Sequence, residues 1–107
     1  SRVGAWEDAL VLVAGDFNDH PGSGTVRRFL QVGDQSLLMD VGAEDGAGQR
    51  WTYHHARTER YERIDYMLFS PRLAERLQRT GVRISDEPAQ RVASDHRALV
   101  VDVYKRP

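Results

Sequence analysis

Leu10-Val11-Leu12-Val13-Ala14-Gly15-Asp16-Phe17-Asn18 is the stretch from which the rest of the chain is read. Its unbroken apolar run reads as an interior strand over Leu10 to Ala14, apolar on both faces. The strand then ends in an acid and an amide. Alternate side chains of an extended chain share a face, so Asp16 and Asn18 are expected to project together, with Phe17 turned away. Gly15 lacks a Cβ, which lets the chain bend or lets a ligand approach the backbone. The competing reading is an ordinary Asx turn, since Asp, Asn, Pro and Gly in Asp16 to Gly22 are all turn formers.

Two further segments follow in order: Arg63-Ile64-Asp65-Tyr66-Met67-Leu68 and Ala93-Ser94-Asp95-His96-Arg97-Ala98-Leu99, with Trp51-Thr52-Tyr53 between the first and second members of the series. Each motif is short and weak alone; together, in this order and at domain-scale spacing, they are specific. The series resembles the C-terminal half of the endonuclease/exonuclease/phosphatase superfamily of metal-dependent phosphoesterases, over about Leu10 to Val103. The resemblance implies an α/β (α+β) fold: half of a four-layer α/β sandwich, in which mixed, mainly antiparallel sheets pack face to face beneath outer helices. Residues 1–107 then read as the C-terminal part of such a domain, with the N-terminal half absent.

Composition sets bounds on this reading. At 107 residues the chain is one domain or less, with a hydrophobic fraction of 40% and a charged fraction of 29% typical of globular proteins. No apolar stretch approaches the length of a membrane span. A formal net charge of −1 and a pI near 6.4 argue against a generally basic surface that grips duplex DNA through many phosphates. Lys105 is the only lysine among fifteen basic residues, a bias better assigned to base composition than to phosphate binding. Absence of cysteine removes disulfides and thiolate metal sites. The chain begins without methionine, which reads as a processed piece or a fragment, and any signal peptide would lie upstream.

Along the chain, Ser1 to Asp8 reads as a polar lead-in or the end of an upstream helix, with Trp6 as an anchor. Val26, Phe29 and Leu30 fall at helical spacing behind a Ser23 or Thr25 cap. Leu37 to Val41 reads as buried helix or the start of a strand, Gly42 to Gln49 as a loop, Arg50 to His54 as a strand and Ala56 to Glu62 as a solvated loop. Ile64 to Phe69 is a strand. Ser70-Pro71 opens a helix that Gly81 stops, with Leu73, Ala74 and Leu77 inward and Arg76 and Arg79 near its C-terminal end. Val82 to Ile84 is a short strand, Ser85 to Val92 a loop and Leu99 to Val103 a valine-rich strand.

Residue chemistry nominates a set of partners. His96 needs a group on its second ring nitrogen to hold one tautomer, and Asp65 is the natural candidate, whereas Asp95 points away from its sequence neighbour. The alternative for Asp65 is an ion pair with Arg63 or Arg97. The resemblance assigns roles: Asp16 as general base or proton-transfer acid, Asn18 positioning the attacking water and a phosphate oxygen, His96 paired with Asp65 against the scissile phosphate, and Asp95 at the divalent metal together with Asp16. Thr52, in the family's Thr-aromatic strand, is expected to line the site. Carboxylate oxygens select Mg²⁺ or Mn²⁺. His20 reads as an exposed turn residue, His54-His55 as a coincidental pair whose side chains diverge, and Trp51, Tyr53, Tyr66 and Phe69 as packing residues.

The implied activity is divalent-metal-dependent hydrolysis of a phosphoester, in nucleic acid, a phospholipid head group or an inositol phosphate, by the full-length parent. The family's N-terminal half supplies a metal-binding glutamate, an asparagine and a second histidine. This chain alone is therefore expected to be weakly active or inactive, and to self-associate through an uncovered sheet face. The alternative class is a silent binding or assembly module that keeps the fold.

Overall fold

A computed structural model describes residues 8–103. The expected Trp6 anchor lies outside that span. Ten strands and three short helices are built among the described residues: β1 (Leu12–Asp16), α1 (Gly24–Leu30), β2 (Gln31–Val32), β3 (Gln35–Ser36), β4 (Met39–Asp40), β5 (Ala43–Glu44), β6 (Tyr53–His55), β7 (Arg60–Glu62), β8 (Asp65–Phe69), α2 (Pro71–Ala74), β9 (Leu77–Ile84), α3 (Pro88–Ala93) and β10 (Leu99–Val103). Two three-stranded sheets carry the fold, one antiparallel in the order β1-β8-β4, the other mixed in the order β10-β9-β5, with hairpins β2-β3 and β6-β7 beside them.

Strand β8 divides the core because its side chains alternate. Tyr66 and Leu68 point to one face, where they pack with Val26 of α1 and Leu38, supported by Val11, Val13 and Leu30. Phe69 points to the other, where it meets Ala43, Val82 and Ile84 of the second sheet, with Met67, Leu99 and Val101 around them. The sheets thus pack face to face, as an α/β sandwich requires. The second sheet alternates cleanly: Val82, Ile84, Leu99 and Val101 face inward, while Arg83 and Asp102 pair at 2.9 Å.

Among the described residues strand β1 lies at the edge of its sheet, where an interior strand was expected. Val11 and Val13 pack towards α1, but Leu10 and Leu12 stay 48% and 45% exposed. Leu12 and Met39 flank the fully buried Phe69 in register, and Met39 is 42% exposed, so the second sheet covers only the middle of this face.

Local chemistry fixes several boundaries. Ser23 caps α1, its Oγ accepting from the Val26 N–H at 3.2 Å. Ser70 is completely buried; its Oγ accepts from the Val11 N–H at 2.9 Å and donates to the Ala9 carbonyl at 2.8 Å, tying the lead into β1 to the end of β8. The helix it opens lasts one turn. Instead of continuing to Gly81, the chain turns to strand at Leu77 because the inward residues of 77–84 are taken up by pairing with β10, and Gly81, with φ +62°, is absorbed within that strand. The expected loop over Ala56 to Glu62 instead closes the β6-β7 hairpin, with Glu59 at φ +56°, and the expected loop around Pro88 contains α3, with proline in its first turn. Leu37 to Val41 yields β4, and the 42–49 loop includes β5. No helix among the described residues is long and apolar enough to cross a membrane.

Candidate active site

The site is a product of register. In the β1-β8 ladder Leu12 faces Phe69, Ala14 faces Met67 and Asp16 faces Asp65, so the row that is apolar between the sheets ends in two carboxylates at its mouth. The second partner arrives from 31 residues further on. Tyr53 forms an isolated bridge with His96, the His54 N–H donates to the Asp95 carbonyl at 3.1 Å and the Arg97 N–H to the Thr52 carbonyl at 2.7 Å, so segment 95–97 runs beside β6. His96 is thereby carried to the tip of β8.

Its ring is held on both sides. His96 Nδ1 lies 2.9 Å from Asp65 Oδ2, and its plane tilts against the Tyr53 ring with centroids 4.8 Å apart. With Nδ1–H donating to the carboxylate, Nε2 is left facing Asp16 Oδ2 at 3.9 Å. That gap is too long for a direct hydrogen bond. Ligand atoms of Asp16, Asp65 and His96 all lie within 4.8 Å of one another. The Asp65 side chain is 15% exposed, that of His96 33% and that of Asp16 48%, a gradient from an anchored carboxylate to an accessible one. The bond to Asp65 raises the His96 pKa above its ordinary value; burial opposes this, and the charges of Asp65, Asp16 and Asp95 add to it.

Asp65 therefore finds the imidazole and neither of the arginines weighed against it. Arg63 pairs with Asp40, and Arg97 with Asp45 at 3.0 Å and Asp86 at 3.3 Å. The buried Arg97 guanidinium also lies over the Trp51 ring, 4.1 Å from its centroid. Asp45, held by this cation and by backbone donors, has its pKa lowered, first by its hydrogen bond from Gln49.

Other expected residues fall differently. Asn18 does not share an extended face with Asp16, because β1 ends at Asp16 and Asn18 adopts φ +52°; instead the Asn18 N–H donates to Asp16 Oδ1 at 2.8 Å and steadies that carboxylate. Asp95 stands outside the three-residue group and lines a separate recess with Trp51, His54 and Ala56. Successive residues of an extended segment point apart, so the turn that brings His96 in directs Asp95 to the neighbouring recess. Thr52, expected to line the site, is completely buried, its hydroxyl occupied by backbone N–H groups. His20 is an exposed turn residue bonded to the Pro21 carbonyl, and His54 and His55 go to separate partners, Tyr61 and Thr58.

Tyr66 is buried as a packing residue, tilted against Phe17, and its hydroxyl also holds the loop after Asn18 by donating to the Asp19 carbonyl at 2.8 Å. Sequence reasoning passed over Tyr53 as a wall of the site. Its alternation with the buried Thr52 in Trp51-Thr52-Tyr53 was the available signal, because the residue beside an inward threonine faces the other way.

A donor set of exposed carboxylate beside an imidazole fits a hard divalent cation: the Asn18 N–H takes Asp16 Oδ1 and, among the described residues, no backbone donor takes Oδ2, and such ions commonly take one or two protein carboxylates and keep several waters. A family model described as the Endonuclease/Exonuclease/phosphatase family matches residues 2–96. No curated protein and no solved structure gives a match. The matched span takes in both carboxylates and ends on the imidazole that joins them: the chain belongs to the endonuclease/exonuclease/phosphatase family.

Proposed function

We propose that the chain supplies the second half of the active site of a divalent-metal-dependent phosphoester hydrolase, with phosphodiester or nuclease-like substrates. One observation carries the reading: the Asp65-held imidazole of His96 aims Nε2 at the accessible carboxylate of Asp16 across 3.9 Å. An oxygen atom set above that gap lies within hydrogen-bond reach of both groups. Asp16 accepts the proton of the attacking water and Asn18, at the turn beside it, positions that water and a phosphate oxygen. His96, protonated more readily because of Asp65, donates from Nε2 to the phosphate and offsets the charge that develops there. Asp65 fixes the tautomer. Mg²⁺ or Mn²⁺, held from this chain by Asp16, would neutralise the phosphate and lower the pKa of bound water.

The remaining ligands are expected from a preceding half of the domain, and the exposed row of Leu12 and Met39 beside Phe69 is where that half would pack. The test is hydrolysis of bis-p-nitrophenyl phosphate with Mg²⁺ or Mn²⁺. A polypeptide carrying both halves should turn it over and lose roughly 10²–10⁴-fold of its rate in Asp16→Asn, the range for a positioned acid or base. The 107-residue chain should turn over little. Robust metal-dependent turnover by this chain alone, or full activity of the Asp16→Asn parent, overturns the reading; a parent that binds metal and phosphoester without turnover supports the silent-module alternative instead.

A further inference from the structure

The residue that joins the two halves of the Asp65-His96 pair is Thr52, and all of its polar groups are spent on that task. Its Oγ1 accepts from the Ile64 N–H at 3.0 Å and from the Asp65 N–H at 3.1 Å. Its N–H donates to the Glu62 carbonyl at 2.9 Å, and its carbonyl accepts from the Arg97 N–H at 2.7 Å. Segments 62–65 and 97 therefore meet at one completely buried residue, the first through its hydroxyl and N–H, the second through its carbonyl.

The need for a side chain here follows from the backbone. β7 ends at Glu62 and β8 begins at Asp65, so the N–H groups of Ile64 and Asp65 fall at the junction between the two strands. Buried N–H groups need acceptors, and the Thr52 hydroxyl takes both. On its other side the Thr52 carbonyl sets the height of Arg97, and the Tyr53-His96 bridge follows from that pairing. A rotation or slide of one side against the other would change the separation of Asp65 Oδ2 from His96 Nδ1 directly.

We propose that Thr52 is a positioning residue: it clamps the start of β8 to the 96–97 segment and so holds Asp65 in reach of His96, acting on the reaction only through that pair and never on the substrate. Threonine suits the position because it combines a hydroxyl acceptor with a β-branched side chain restricted at χ1. Valine has the same shape and no acceptor. Serine has the acceptor and a freer rotor.

The inference gives the pair of the proposed site its support, and its test uses no substrate, so it fails or stands independently of turnover. The test is NMR of the 107-residue chain without metal, at a pH where imidazole is neutral. In the unmutated protein the ¹⁵N shifts of His96 should report the Nδ1–H tautomer alone, and the amides of Ile64 and Asp65 should be protected from exchange. In Thr52→Val the Nε2–H tautomer should emerge and those two amides should exchange roughly ten- to a hundredfold faster, the range set by two buried donors losing their acceptor. Thr52→Ser should keep the Nδ1–H tautomer. A folded Thr52→Val protein with an unchanged tautomer shows a stabilising residue only and overturns the proposal. If Thr52→Val fails to fold, the decision rests on the other two forms: loss of the tautomer in Thr52→Ser, or unprotected Ile64 and Asp65 amides in the unmutated chain, equally overturns it.

Discussion

Tyr66→Phe isolates the link between the core and the loop that carries Asn18. The ring is 1% exposed and keeps its contacts with Phe17 after the change, so only the hydroxyl is lost. That hydroxyl lies 2.8 Å from the Asp19 carbonyl and 3.1 Å from the Arg63 carbonyl, and its single proton serves chiefly the nearer. A net hydrogen bond contributes about 1 kcal/mol, and a carbonyl left without a partner costs about 1–3 kcal/mol where water cannot reach it. About 2 kcal/mol is the expected loss in total, which in a domain of this size lowers the thermal midpoint by about 10 °C. The alkaline limb supplies a second, independent signature. Burial pushes the Tyr66 pKa up from 10.0 to about 12. A group raised in the folded state contributes stability that is complete below its unfolded value and is lost as pH rises through the folded one. The unmutated chain should therefore weaken between pH 10 and 12, and Tyr66→Phe should lack that part of the decline. Circular dichroism melts at pH 7 and across pH 9 to 12 measure both. Equal midpoints for the two proteins, together with an alkaline decline unchanged by the substitution, would refute the assignment of the hydroxyl as the tie to residue 19.

Asp65→Asn should bring the His96 pKa back towards its ordinary value of 6.5, because the first cause of the rise is the bond to Asp65; imidazole NMR titration in the presence of a chelator measures it. Since the folded value is raised, the pair's contribution to stability is present below pH 6.5 and fades as pH climbs through the folded pKa, and this dependence should weaken in the variant, where only the charges of Asp16 and Asp95 still raise the value. Ser70→Ala removes the cap of α2 and the tie to Ala9 and Val11, and should cost about 1–2 kcal/mol in a denaturant melt. Phe69→Ala empties the junction between the sheets and should cost about 3–5 kcal/mol, a large part of the stability of an ordinary domain, read in a denaturant melt.

Elements set by local chemistry were legible in the sequence. Ser23 and Ser70 signalled helix starts, and the valine-rich 99–103 segment and the 64–69 pattern gave strands within a residue of the observed ones. What misled was sequence whose structure depends on a distant partner. Leu73, Ala74 and Leu77 have helical spacing, yet Leu77 belongs to β9 because Val103 lies across from it. The stretch from Ala56 to Glu62 looked like a solvated loop, and its charges Arg57, Glu59 and Arg60 are the exposed tip of a hairpin whose pairing, Tyr53 with Glu62 and His54 with Tyr61, cannot be seen from either strand alone. At the site, pairing of His96 with Asp65 followed from the chemistry of imidazole. The place of Asp95 in a neighbouring recess and the burial of Thr52 did not, because both depend on which face of segment 95–97 lies against β6.

That dependence makes site and core a single problem of register. The pairings that place Phe69 between the sheets, Leu12 with Phe69 and Ala14 with Met67, are the same ladder that places Asp16 opposite Asp65. Side chains alternate with a period of two, so a one-residue slip of β1 would turn both Leu12 and Asp16 to the α1 face at once. The apolar contacts among Val11, Val13, Tyr66 and Leu68 oppose such a slip, at about 1.5–3 kcal/mol for each large side chain fully buried. An exposed carboxylate has no comparable means of fixing its own position. Asp16 thus owes its distance from His96 to valines and leucines several residues away, and substitutions in that apolar row should disturb the site before they disturb the fold.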